Sequence, residues 1–90
     1  MPALLQNHIA AVTGSGSGIG RAIALGYARE GAQVAVLDIN AEAAAETAQQ
    51  IKAAGGKAEG FALDVTKRTD CRSVAAQIAD KIGPISVLAN

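Results

Sequence analysis

Short apolar runs alternate along this chain with longer segments whose apolar residues recur at helical spacing. Four of the short runs predict strands. They cover residues 9–12, 34–37, 59–63 and 85–89. The first two are continuously apolar, which is typical of strands that are buried on both faces of a parallel sheet.

Three helices are predicted between these strands. The apolar stripe of the first consists of Ile19, Ala22, Ile23, Gly26 and Tyr27, and that of the third consists of Cys71, Val74, Ala75, Ile78 and Ile82. Gly31 ends the first helix as a C-terminal cap. The second covers residues 41–54, begins after Asn40 as its N-cap and ends at Gly55-Gly56. Gly83-Pro84 ends the third.

The element order βαβαβαβ predicts an α/β fold, the first half of a Rossmann-type doubly wound parallel sheet with strand order 3-2-1-4. Residues 1–90 are expected to form a single partial domain that is truncated after strand four. A fifth strand normally covers the outer edge of strand four, so this edge is expected to be open or covered by another chain.

A glycine-rich turn at residues 13–20 (TGSGSGIG) lies between the first predicted strand and the first helix. A side chain at Gly14 would block the tight turn, one at Gly18 would hold a pyrophosphate away from the backbone, and one at Gly20 would push the helix off the sheet. Free N–H groups and the helix dipole at such a terminus favour an anion. The turn therefore predicts a nucleotide diphosphate site.

The pattern Thr13-Gly14-x-x-x-Gly18-Ile19-Gly20 resembles the cofactor loop of the short-chain dehydrogenase/reductase family. Three further segments match that family: the acidic end of strand two, the pair Asp64-Val65, and residues 87–90, which are similar to the start of its Asn-Asn-Ala-Gly motif. The resemblance runs from about residue 7 to residue 90. It implies an oxidoreductase that transfers hydride between a nicotinamide cofactor and an alcohol or carbonyl substrate.

Asp38 follows strand two, 18 residues after Gly20, close to the roughly 20-residue separation expected of a ribose-binding acid. Its carboxylate would accept hydrogen bonds from the ribose hydroxyls and repel a 2′-phosphate. The next two residues, Ile39 and Asn40, are not cations. In the family a basic residue before the middle glycine indicates NADP, and here Ser17 stands there. NAD is therefore predicted rather than NADP, although Asp38 could instead compete for a helix cap.

The resemblance implies roles for the other predicted cofactor-binding residues. It places Ser17 and Ile19 in the cofactor loop, Asp64 and the Val65 backbone against the adenine ring, and Asn90 near the cofactor ribose. Two structural alternatives stay open. Asp64 could be the N-cap of the third helix, a role open also to Thr66 or Thr69, and Asn90 could simply stabilise the sheet.

No catalytic residue is assigned. The serine, tyrosine and lysine that the resemblance implies belong to segments after strand four. Tyr27 lacks the lysine four residues later, because Gly31 is there. Cys71 is expected to be a buried structural thiol, His8 a strand-end residue, and no metal site is predicted. A non-catalytic NAD-binding or interaction module is the main alternative. The start of an S-adenosylmethionine methyltransferase is disfavoured by Val12, where an acid is usual.

The composition limits the partners and the cellular location that are expected for this chain. The formal net charge is zero, so neither a nucleic acid nor a membrane surface is an expected partner. The single cysteine and the absence of a signal-peptide pattern predict a cytoplasmic protein. A small-molecule substrate and a homo-oligomer are expected of the complete enzyme.

Overall fold

The computed structural model describes residues 7–16, 18–64 and 66–89, and its elements alternate strictly between strand and helix. In chain order they are β1 (Ile9–Thr13), α1 (Gly18–Arg29), β2 (Gln33–Asp38), α2 (Ala41–Ala53), β3 (Lys57–Ala62), α3 (Arg68–Lys81) and β4 (Val87–Ala89). The predicted α/β fold class is confirmed. No helix in the described part of the chain is long and apolar enough to span a membrane.

The four strands form one sheet in the order β3-β2-β1-β4, and every neighbouring pair is parallel. Thr13 at the end of β1 pairs with Leu37 of β2, and Asp38 at the end of β2 pairs with Ala62 of β3. The carboxyl ends of three strands therefore meet at one edge of the sheet, where ligands of such sheets bind.

Apolar side chains cover both faces of the sheet. On one face, Val12, Val34 and Val36 pack with Ala24 of α1 and Ile51 of α2. The second face is covered by α3, and its cluster consists of Ala11, Ala35, Leu37, Phe61, Leu63, Val74 and Ile78. Successive residues of a strand point to opposite faces, so a continuously apolar strand can serve two layers at once.

The two later strands differ in length from their predictions. β3 begins at Lys57, two residues earlier than expected, and ends at Ala62. As an edge strand it pairs only with β2, so exposed Lys57 and Glu59 can take part without forming an apolar run. β4 begins at Val87 rather than at residue 85.

Three residues of the predicted helical stripes are exposed. Ile19 is 81% exposed, and Ala22 and Ala75 are exposed as well. The buried face of α1 is centred on Ala24, and at about 100° per residue Ile19 lies roughly 140° away from it around the helix. Cys71 is half-buried against the α3 cluster, so the expectation of a buried thiol is only partly correct.

Two predicted helix caps, Asn40 and Gly31, are confirmed. The Asn40 side chain accepts a hydrogen bond from the Ala43 N–H at 3.1 Å and so caps α2. Gly31 adopts a φ of 95° beyond the end of α1, a left-handed conformation that glycine takes without strain.

Candidate functional site

The turn from β1 into α1 depends on two glycines with left-handed backbone. Gly14 has a φ of 64° and Gly18 a φ of 60°, and a Cβ at either position would meet nothing within 4 Å. Space is therefore not what excludes a side chain in this structure. The constraint is conformational, because other residues adopt this backbone region only with strain. The open space beside both glycines leaves the backbone accessible to a ligand.

Gly20 is required for a different reason from the one predicted. A Cβ there would overlap the carbonyl oxygen of Gly14 and lie 2.7 Å from its carbonyl carbon and 3.0 Å from Ser15 Cα. The conflict lies within the turn itself and not between the helix and the sheet. The first turn of α1 thus packs directly against the start of the loop, which only a residue without a side chain permits.

Ser15 fastens the loop to the ends of β1 and β2. Its side chain is buried, donates to the Val12 carbonyl at 2.6 Å and accepts from the Leu37 N–H at 3.0 Å. Its own N–H donates to the Leu37 carbonyl at 3.0 Å. Sequence analysis missed this residue, because in the glycine pattern it occupies a position that any residue can fill.

Asp38 is held by two backbone amides. Gly16 N–H donates to Oδ2 and Asn40 N–H donates to Oδ1, each at 2.9 Å. Each carboxylate oxygen can accept more than one hydrogen bond. The side chain is therefore fixed in orientation and keeps acceptor capacity for a ligand.

Arg21 holds the carbonyl of the same loop residue, Gly16. Its guanidinium donates through one Nη to the Gly16 carbonyl and through Nε to the Thr47 hydroxyl of α2 at 2.8 Å. The Glu46 carboxylate forms an ion pair with the same guanidinium, with 3.7 Å between Glu46 Oε2 and Arg21 Nη2. Sequence analysis missed Arg21, since its partner in α2 lies 26 residues away along the chain and no local spacing reveals the pair.

Asp64 lies two residues beyond β3 and forms a local turn. Its Oδ1 accepts from the Thr66 N–H at 3.0 Å and from the Thr66 hydroxyl at 2.6 Å, and these bonds hold the pKa of the Asp64 carboxyl below its ordinary value. The Asp64 N–H donates to Asp70 Oδ2 at 2.7 Å. The N-cap residue of α3 is Lys67. This position is therefore not held by any of the candidates that the sequence left open, Asp64, Thr66 and Thr69.

A cleft of about 250 Å³ opens at the carboxyl edge of the sheet. It is lined by Thr13, Gly14, Leu37, Asp38, Ile39, Leu63, Asp64 and Thr66. The cleft thus brings together three of the predicted site residues, Gly14, Asp38 and Asp64. Its apolar wall includes Ile39, which is 71% exposed and which sequence analysis did not place in the site. Two carboxylates beside an apolar wall suit a flat ring that carries a hydroxylated sugar.

The remaining predicted site residues fall into two groups. Gly18, Ile19 and Gly20 form the first turn of α1 and are not part of the cleft lining. Ser17, Val65 and Asn90 lie outside the residues that the structure describes.

A larger cavity of about 600 Å³ lies at the opposite edge of the sheet, around His8, Gln33 and Lys57. His8 there contacts the Ser86 hydroxyl at 3.1 Å. Within residues 7–16, 18–64 and 66–89, no three His, Cys, Asp or Glu side chains are grouped so that they could hold a metal ion. This cavity is larger than the cleft, but the glycine turn and the carboxylates of Asp38 and Asp64 lie at the other edge of the sheet. The cleft is therefore the candidate functional site.

Comparison with known proteins agrees with this geometry. The sequence profile described as short chain dehydrogenase matches residues 8–90. Over 86 residues the chain is 46% identical to sorbitol dehydrogenase of Cereibacter sphaeroides and 42% identical to D-threitol dehydrogenase of Mycolicibacterium smegmatis. These alignments cover 96% of this chain but only 32% and 33% of those enzymes.

A solved structure extends the likeness to three dimensions. The solved structure of 7α-hydroxysteroid dehydrogenase in complex with NADH and 7-oxo glycochenodeoxycholic acid superposes with a TM-score of 0.94 at 36% identity, covering 99% of this chain and 35% of that one. The chain therefore spans about a third of the length of the relatives that it matches. With the profile match over nearly all of its residues, the chain belongs to the short chain dehydrogenase family.

Proposed function

We propose that this chain binds NAD in the cleft and glycine turn, as the nucleotide-binding part of an oxidoreductase that transfers hydride between the nicotinamide and an alcohol or carbonyl substrate. The observation that carries this proposal is the Asp38 carboxylate, which lies in the cleft wall with Gly14 and Asp64. The NADH bound to the similar 7α-hydroxysteroid dehydrogenase supports the choice of cofactor.

Asp38 also favours NAD over NADP. A carboxylate accepts hydrogen bonds from two ribose hydroxyls but repels a phosphate on the same sugar. Among the described residues that line the cleft, none is Lys or Arg. Arg21 contacts the loop at Gly16, but its guanidinium is already bonded to the Gly16 carbonyl and the Thr47 hydroxyl.

The residues present fit a dinucleotide. The open space at Gly14 and Gly18 allows a diphosphate to approach the backbone at the start of α1, where helix N–H groups favour an anion. We assign Ile19 and Gly20 to the same turn, together with Ser17, and we assign Val65 and Asn90 to the adenine and ribose ends. When bound, the nicotinamide supplies the hydride chemistry. The chain's own residues bind and orient it.

These 90 residues are expected to bind the cofactor without turning over a substrate. Their single tyrosine, Tyr27, is half-buried against the core cluster of α1 and α2, and Gly31 stands four residues later where the family pattern has lysine. The second candidate function is a non-catalytic NAD-binding module, for which these residues by themselves suffice. A cytoplasmic location, a small-molecule substrate and assembly into homo-oligomers stay predictions.

Titration of the purified chain with NAD⁺, NADP⁺ and S-adenosylmethionine tests the proposal. We expect NAD⁺ to bind most tightly, and we expect Asp38→Asn to weaken NAD⁺ binding by about 1.5–3 kcal/mol, the value of a hydrogen bond to a charged group. Asp80→Asn, a change of the same kind on exposed α3, is the matched control. No binding of NAD⁺, or tighter binding of either competitor, would overturn the proposal. Robust turnover of alcohols or carbonyl compounds by the chain would contradict only the expectation that these 90 residues bind the cofactor without catalysis.

A further inference from the structure

We infer that Gly16 determines nucleotide specificity by holding the Asp38 carboxylate, an inference that rests on the proposed binding of NAD. Gly16 lies in the loop but is not one of the three glycines of the G-x-x-x-G-x-G pattern. It is buried, and its N–H donates to Asp38 Oδ2 at 2.9 Å. Its carbonyl accepts from Arg21, so the residue is held by a carboxylate at its N–H and by a guanidinium at its C=O.

The need for glycine at this position is steric and not conformational. Gly16 is not among the glycines with positive φ, so alanine could adopt its φ without strain. A Cβ, however, would lie 2.7 Å from Asp38 Oδ2, 2.9 Å from Asp38 Cγ and 2.7 Å from the Cβ of Ala43. Real Cβ atoms do not approach other heavy atoms so closely, so a neighbour has to move.

The two obstacles respond differently. The Asp38 carboxylate is the far end of a rotatable side chain and can turn away without movement of the backbone. Ala43 belongs to α2 and can move only with its helix. A side chain at position 16 would therefore displace the carboxylate and break its bond to the loop. The effect of the substitution should fall on ribose recognition more than on stability.

Removing the second obstacle separates the two effects. In the double variant Gly16→Ala with Ala43→Gly, the Ala43 methyl group is gone and the closest remaining contacts of the new methyl group are with Asp38. We expect this variant to fold like Ala43→Gly alone and to bind NAD⁺ about ten- to a hundredfold more weakly, the loss expected when a hydrogen bond to a charged group is broken. Because the displaced carboxylate no longer opposes a 2′-phosphate, the preference for NAD⁺ over NADP⁺ should shrink.

The experiment is titration of the chain and its variants with NAD⁺ and NADP⁺, with far-UV circular dichroism as a check of folding. Gly26→Ala is the matched glycine control, since a Cβ there would meet nothing within 4 Å. The same pair of substitutions is also made in an Asp38→Asn background. If Gly16 acts through the charge of Asp38, the added methyl group should have little effect in the Asp38→Asn background. We expect the affinities for NAD⁺ and for NADP⁺ each to change by no more than about twofold, well below the tenfold change that corresponds to roughly 1.4 kcal/mol.

Three results would overturn the inference. The double variant could keep the affinity and preference of Ala43→Gly, which would show that the carboxylate does not need the bond from Gly16. The loss could be equally large in the Asp38→Asn background, which would show that Gly16 acts by another route. Failure of the unsubstituted chain to bind NAD⁺ would instead remove the proposed function, and this inference with it.

Discussion

Replacing Gly20 with alanine should destabilise the chain, whereas the same replacement at Gly26 should not. Both glycines lie in α1, and neither has a positive φ, so alanine is conformationally acceptable at both. At position 20 the new methyl group would overlap the Gly14 carbonyl oxygen and crowd Ser15 Cα at 3.0 Å. These are backbone atoms, so the strain cannot be relieved by rotating a side chain. At position 26 the methyl group would meet nothing within 4 Å.

The magnitudes follow from two opposing effects. Alanine is favoured over glycine inside a helix by about 0.8–1 kcal/mol, and this gain applies to both variants. Overpacking costs about 1–3 kcal/mol, and the backbone contacts place Gly20→Ala towards the upper end. We therefore expect Gly26→Ala to be neutral or slightly stabilising. We expect Gly20→Ala to lower the free energy of unfolding by about 1–2 kcal/mol, or roughly 4–16 °C in Tm for a domain of this size.

Urea unfolding followed by circular dichroism measures this difference, with the slope of the transition as a check that both variants unfold from the same compact state. Because the displaced atoms belong to Gly14, which lines the cleft, Gly20→Ala should also weaken NAD⁺ binding. Equal stabilities for the two variants would refute the reasoning. They would show that the turn can yield without cost and that the first turn of α1 is not packed against the loop.

Two further predictions concern the polar contacts at the sheet edge. Ser15→Ala should lower the free energy of unfolding by about 1–3 kcal/mol, because the buried Leu37 N–H loses its acceptor; exposed Ser73→Ala is the control, and equal urea midpoints would contradict the prediction. Thr66→Val should raise the pKa of the Asp64 carboxyl towards 3.8 by removing the hydroxyl donor, as a carbon-13 NMR titration would show. The pKa of Asp64 is lower in the folded state, so ionised Asp64 stabilises the fold at pH values above its ordinary pKa. This contribution to stability is lost as the pH falls through the lowered pKa. An Asp64 pKa that is the same in Thr66→Val would show that the bond from the Thr66 hydroxyl does not lower it.

The elements that were predicted well from the sequence are those determined by residues close together in the chain. Continuous apolar runs specify buried strands, and the caps at Asn40 and Gly31 depend on one or two residues each. The glycine spacing likewise indicates a turn with left-handed backbone, which Gly14 and Gly18 adopt. Helix faces were harder to assign, because periodicity does not show which residues of an apolar stripe meet the sheet. Exposed Ile19 and Ala75 are the examples.

The residues that sequence analysis missed act across long separations. Ser15 bonds the backbone of Leu37, 22 residues away, and Arg21 bonds Thr47, 26 residues away. Serine and arginine at such positions carry no distinctive local signal, and their importance appears only when β2 and α2 have been placed beside the loop. Gly16 belongs to the same class, since its small size matters only because Asp38 and Ala43 flank it.

The register of the sheet explains why these distant residues converge. Thr13 pairs with Leu37, and Asp38 pairs with Ala62, so the ends of the first three strands lie side by side. The Leu63 N–H donates to the Asp38 carbonyl at 2.9 Å and extends this ladder past the end of β3. A shift of β2 by one residue would turn Asp38 to the opposite face and exchange the side chains of that strand between the two layers, so that Leu37 would enter the layer of Val34 and Val36. The fit of β2 into the two apolar layers therefore fixes where the carboxylate lies, and the core and the cleft are specified by the same pairing.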